Sequence, residues 1–151
     1  MNDLVVHKAA IPAMTDDAIA KVYALEEELA QLPQEVFETH HVLHGGMYAR
    51  TVLLKAGVTA TGALIQVPTV LIVCGHATVY IDGEPHDLQG YHVLPAAAHR
   101  KQAVYAHVDT LVTMVFASKA TTVEQAEAEF THEHERLASR HGVNTVIITG
   151  E

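Results

Sequence analysis

The sequence has no tryptophan, one cysteine, and only 5% aromatic residues in a chain of 151. A core must therefore be built from Val, Leu, Ile and Ala, and the 49% hydrophobic content is enough to build one. The lone Cys74 excludes an internal disulfide and suits a reducing compartment, so a cytoplasmic location is expected. Lying in an apolar run, Cys74 is expected to be a small core residue rather than a nucleophile. Basic residues are also scarce: 9 Lys and Arg face 18 Asp and Glu, for a net charge of −9. No Lys/Arg cluster is present, which disfavours nucleic acid as a partner. No apolar run reaches the roughly 18–20 residues that span a bilayer, so no membrane partner is expected. The N-terminal MNDLVVHKAAIPAM lacks a charged stretch followed by a long apolar one, and no signal peptide is expected. There is no P-loop, no GxGxxG, and no elbow or His/Asp order around Ser118 or Thr113 that would support a hydrolase triad. Histidine is the residue in excess, at 12.

The length fits one domain, expected to span 1–151. Its organising stretch runs from Val70 to Asp82, VLIVCGHATVYID. A β-branched run ends at Gly75, a second resumes at Ala77, and Asp82-Gly83 is a strong hairpin signal. The pattern predicts strand, one-glycine turn, strand, with at least one face buried.

Residues 1–14 are expected to be irregular. Thr15-Asp16-Asp17 then signals a helix start, and Ile19, Val22, Leu25, Leu29 and Leu32 recur at three and four residues up to Pro33. A helix over about 15–32 is expected, its apolar stripe covering its own sheet or a second subunit. From Val36 the period becomes two. Short strands are expected at Val36–Leu43, Tyr48–Leu54, Thr59–Val67 (with Gly62 as a bulge), Pro85–Leu88, Tyr91–Leu94, Gln102–Ala106 and Leu111–Ala117. With no helix interrupting them, an antiparallel barrel over about 36–118 is predicted. A capping-box pattern at Thr121-Thr122 opens a second helix over about 122–141, with Val123, Ala126, Phe130, His134 and Leu137 on one face and Gly142 closing it. Residues 143–149 (VNTVIIT) form a terminal apolar strand, which commonly pairs with a sheet edge of its own chain or a neighbour's.

This order, together with GMYARTVLLKAG, TGALIQ, LIVCGHATVYIDG, GYHVLP and YAHVDT, resembles a small single-domain cupin of the often phage- or prophage-encoded, cupin-like type. The resemblance implies a mostly β, double-stranded β-helix (jelly-roll) barrel with one N-terminal and one C-terminal α-helix. It also implies a His/Glu metal site. Taking Gly75 as the closing glycine of the first cupin motif puts Pro68 at the glutamate position, and puts Thr, Gly, Ala and Leu of Thr61–Leu64 at the histidine positions. Nearby Ile65 and Thr69 cannot replace them. The second motif is partly met by Gly90, Pro95 and His99, with Ala97 for its Gly and no Asn. Three of the four ligands are missing, and a facial site needs about three from the protein.

Two function classes remain. The first is a non-enzymatic module binding a small molecule or a protein, most simply as a homodimer and without a cofactor. Tyr48, Arg50, Tyr80, His99 and Lys101 (with the neighbouring Arg100) are its candidate ligand-binding residues. Arg50 is the only charge in Tyr48–Leu54; facing inward with Tyr48, it needs a carboxylate or a bound anion, and Asp109 is a candidate. The second is a metal-dependent dioxygenase or isomerase holding Fe, Mn, Ni or Zn through a rearranged set: His40, His44, His99 and His107. His40 and His44 share strand parity. A phage context would place the protein in a host cytoplasm or a virion.

Overall fold

The computed structural model describes residues 10–151; residues 1–9 of the segment expected to be irregular lie outside it. Helix α1 (Asp16–Leu29) starts where its cap signal lies. The Thr15 hydroxyl accepts the Ala18 N–H at 3.2 Å, and Asp16 and Asp17 put negative charge at the positive end of the helix. Ala18, Ile19 and Val22 pack with Met14 against Tyr23 and Leu64, so the upper part of the stripe covers the chain's own fold. The helix ends earlier than expected because the Gln34 side-chain amide takes the Leu29 and Leu32 carbonyls, leaving Leu32 58% exposed.

Eight strands follow: β1 (Glu38–His44), β2 (Met47–Leu54), β3 (Thr59–Thr61), β4 (Thr69–Ile81), β5 (Glu84–Ala96), β6 (Ala103–Ala106), β7 (Thr110–Ala117) and β8 (Val143–Ile148). Their hydrogen-bonded order is β3-β6-β4-β7-β2-β1-β8, with β5 also on β4. Every pairing is antiparallel except β1 with β8. The fold is the mostly β, cupin-like jelly roll with its two helices. The sheet curls as a half-barrel whose ends, β3 and β8, are not joined by hydrogen bonds among the described residues.

Strand β4 positions everything else. It pairs β5 along its whole length, β7 through Val70–Cys74, and β6 through Ala77–Tyr80. The expected turn at Gly75 is absent, and β4 is one continuous strand. Gly75, at φ +143°, is where the strand changes partner from β7 to β6. A Cβ there would lie 2.5 Å from Thr110 Oγ1 and 2.9 Å from the Asp109 carbonyl oxygen. Glycine is required for close approach of another backbone, not for chain reversal. Likewise Gln89-Gly90 does not divide β5. Asp82 and Gly83, both at positive φ, do turn the chain from β4 into β5.

Two further elements are shorter than expected. Beyond Thr61 the chain leaves the sheet, because the Gln66 N–H bonds the Phe130 carbonyl at 2.8 Å and the Leu64 N–H bonds Glu133 Oε1 at 2.9 Å. The second helix, α2, is only Val123–Phe130. Thr131 is extended and its hydroxyl caps the Glu133 N–H, so residues to 141 continue as two 3₁₀ turns, His134–Arg136 and Ala138–Arg140. Leu137 nevertheless reaches the expected core, with Leu43, Tyr48, Met114, Phe116, Ala126 and Phe130. A second cluster joins Ile11, Leu71, Val73 and Ala96. Cys74 is not a core residue: on β4 the buried positions are Thr69, Leu71, Val73, Ala77 and Val79, and alternation turns Cys74 outward, where it is exposed.

Candidate functional site

The inward face of β2 carries Tyr48 and Arg50, both buried as parity predicts. Arg50 does meet a carboxylate, but it is Glu127 of α2, not Asp109. Arg50 Nη1 lies 2.7 Å from Glu127 Oε2, while Asp109 instead accepts the Ala56 N–H. Arg50 Nη2 donates to Ser139 Oγ at 3.1 Å, and Ser139 donates to Glu127 at 2.6 Å. Arg140 Nη2 lies 3.1 Å from the other Glu127 oxygen. Both oxygens of a carboxylate that is 1% exposed are thus engaged.

His41 of β1 extends the network. Its Nε2 is 2.7 Å from Asn144 Oδ1, and its Nδ1 is 2.7 Å from the Tyr48 hydroxyl. Asn144 presents an acceptor here, since its amide nitrogen donates to the Ser139 carbonyl. Nε2 is therefore the protonated nitrogen, and Tyr48 donates to Nδ1 while accepting from Arg50 at 3.4 Å. Burial lowers the His41 pKa and raises that of Tyr48, so both are neutral at pH 7.

Above this floor lies a pocket of about 340 Å³ between α2 and β8, lined by His41, Glu124, Asn144, Val146 and Ile148 among others. Around it Arg50 and Arg140 balance Glu127 and Glu124. The arrangement is suited to orienting a polar guest, and the aliphatic wall of β8 to packing an apolar part of it.

Sequence reasoning missed Glu127, His41, Ser139 and Asn144. For Glu127 there was a signal: it stands on the apolar stripe of α2 between Val123 and Phe130. An acidic residue on a buried face calls for a cation.

The other candidates lie elsewhere. Tyr80 is 39% exposed on β4. His99 faces outward, with Nε2 3.0 Å from Asp16 of α1. Lys101 is buried with its Nζ 2.9 Å from Glu26, 2.8 Å from the Gly62 carbonyl and over the Tyr23 ring. It ties α1 to the sheet. Neighbouring Arg100, 2% exposed, donates to Thr69 Oγ1 and the Ala97 carbonyl, and burial lowers its pKa to about 10. His40 and His44 are both on the exposed face of β1, with His44 Nδ1 2.7 Å from Thr149 Oγ1. The four candidate metal ligands are therefore not gathered at one place. His107 instead sits beside His76 and Asp87, a group whose ligand atoms lie within 4.8 Å of one another.

The positions implied for a cupin metal do not fit one. Ala63 and Ile65, in and beside that stretch, pack against the Tyr48–Phe130 cluster, and no group of ligand atoms gathers there among the described residues. The class is thus a cupin-like jelly roll with a pocket of polar floor and aliphatic wall between α2 and β8.

No protein-family model matches the sequence, and no curated protein does. Among solved structures the chain is similar to a cupin superfamily protein from Desulfitobacterium hafniense DCB-2, at 14% identity over 60% of this chain and 86% of that one, TM-score 0.46. It is similar to the Cupin_2 domain of an XRE family transcriptional regulator from Enterobacter cloacae, at 14% identity over 49% and 84%, TM-score 0.41. It is also similar to a salicylate 1,2-dioxygenase from Pseudoaminobacter salicylatoxidans, at 17% identity over 76% and 33%, TM-score 0.47. At these identities nothing about activity carries over. No helix of the described residues is long and apolar enough to cross a membrane.

Proposed function

We propose that this chain is a non-enzymatic cupin-like module that binds a small polar ligand of no net charge between α2 and β8, acting as a homodimer. The observation that carries the reading is the pocket floor. The buried ionic groups there are paired, Arg50 and Arg140 sharing Glu127 with exposed Glu124 completing the charge balance, and neutral His41 bonds Tyr48 and Asn144. Ser139 touches a carboxylate already held by two guanidiniums, so it is not activated as a nucleophile. Such a floor orients a guest and holds no base ready for proton transfer. On this reading the chelating groups of the ancestral cavity have given way to aliphatic and hydroxyl side chains. A phage or prophage context belongs to the same proposal and rests on the sequence resemblance alone.

The second reading, a cupin enzyme using Fe, Mn, Ni or Zn on a rearranged histidine set, is favoured by one observation, the proximity of His107 to a second imidazole and a carboxylate. Tag-free protein separates the two. Screening small neutral polar compounds by thermal shift should give a stabilising ligand whose effect is lost when Ile148→Trp fills the pocket. Turnover that disappears with chelator and with His107→Ala would overturn the proposal.

A further inference from the structure

We propose that His76, Asp87 and His107 bind one divalent transition ion, with zinc the best match, on the outward face of the sheet. The site is distinct from the pocket and does not depend on what the pocket binds.

The register builds it. Thr78 of β4 is opposite Asp87 of β5 and opposite Tyr105 of β6. Two residues along, the His107 N–H bonds the His76 carbonyl at 2.9 Å, setting those two residues side by side. Because opposed residues share a face, His76, Asp87 and His107 all project on the side away from buried Ala77 and Val79. His76 Nε2 is 2.7 Å from Asp87 Oδ1, and the two imidazole rings stack with centroids 4.3 Å apart. Thr78 Oγ1 lies 2.8 Å from His107 Nε2, and the Tyr105 ring stands edge-on to His107 at 4.9 Å. These two groups hold the His107 ring from outside the ligand set.

Two imidazoles and one carboxylate are a donor set that zinc accepts, with the fourth position left to water. Ligand atoms on one tetrahedral ion are separated by about 3.4 Å, so atoms already within 4.8 Å close on it by side-chain rotation alone. Asp87 and His107 are exposed, so the rotation displaces solvent and no packed side chain. An ion pair between His76 and Asp87 accounts for only part of the cluster. It leaves His107 outside the pair, although Thr78 and Tyr105 hold that ring where its ligand atom is within reach of an ion shared with His76 and Asp87. The ion would clip the β4–β5 hairpin to the β6–β7 turn.

Calorimetric titration of chelator-stripped, tag-free protein with zinc tests the site. One ion per chain is expected, with affinity lowered at least about tenfold by His76→Gln, Asp87→Asn or His107→Gln and unchanged by His40→Gln or His99→Gln. Cobalt substitution should give a visible absorption band that the same three changes remove. The three side chains are outward-facing, and circular dichroism will show that the variants fold. Absence of stoichiometric binding, or binding indifferent to all three changes, overturns the site. Neither result bears on the thermal-shift screen for a pocket ligand.

Discussion

Arg50 and Glu127 form an ion pair in which neither partner can return to water without opening the fold. Removing one strands the other. Glu127→Gln is expected to cost about 3–5 kcal/mol in urea unfolding, and Arg50→Met in the Glu127→Gln background to restore part of that loss. Equal and additive losses would mean that the pair is not coupled. His41 gives the residue scale its pH dependence. Burial holds its pKa below the ordinary 6.5, so the unfolded chain binds a proton that the folded chain refuses. That contribution to stability is complete above about pH 6.5 and is lost as pH falls through the folded value. Denaturation measured between about pH 7.5 and pH 5, above the carboxylate range, should show falling stability, and His41→Gln should flatten the slope. At this scale the need of Arg50 for an anion was legible, because a charge at an inward strand position has few outlets. Which anion it meets was not, since Glu127 arrives from 77 residues away. The histidine parity was read correctly in pairing His40 with His44, yet the buried histidine is their odd-numbered neighbour His41. Only the register of β1 against β2 and β8 decides which face is inside.

The elements follow the same logic. Caps, β-branched runs and Asp82-Gly83 fixed where α1 begins and where β4 turns into β5, because those signals act over a few residues. Gly75 misled because local sequence does not reveal an approaching backbone. Its role makes a sharp expectation: Gly75→Ala places a methyl against the Asp109–Thr110 backbone and should cost at least about 2–3 kcal/mol. Thr110→Ser should not rescue it, since the backbone contacts remain. A variant with a wild-type melting temperature would show that β4 and the β6–β7 turn can part freely. The second helix stops at Phe130, not near 141, for the same kind of reason: the loop that follows β3 takes its terminal carbonyl.

Over the whole molecule, β8 is the edge that invites a partner. Val143, Val146, Ile147 and Ile148 are all about half exposed, and the strand VNTVII carries no charge or proline to discourage pairing. A second copy, pairing β8 with β8 antiparallel about a two-fold axis, is the proposed occupant. Light scattering should find a dimer, and Ile147→Lys a monomer; a monomeric wild-type protein would refute this.

The sequence by itself determined a mostly β chain between two amphipathic helices, and the absence of chelating residues at the expected cupin positions. Those properties reside in periodicity, caps and residue identity, which are local. Tertiary structure alone decided that Glu127 answers Arg50, that Lys101 braces a helix, and that His76, Asp87 and His107 meet. Each of those meetings depends on strand register or on docking between distant segments, and a one-residue change of register would turn each strand's side chains to the opposite face.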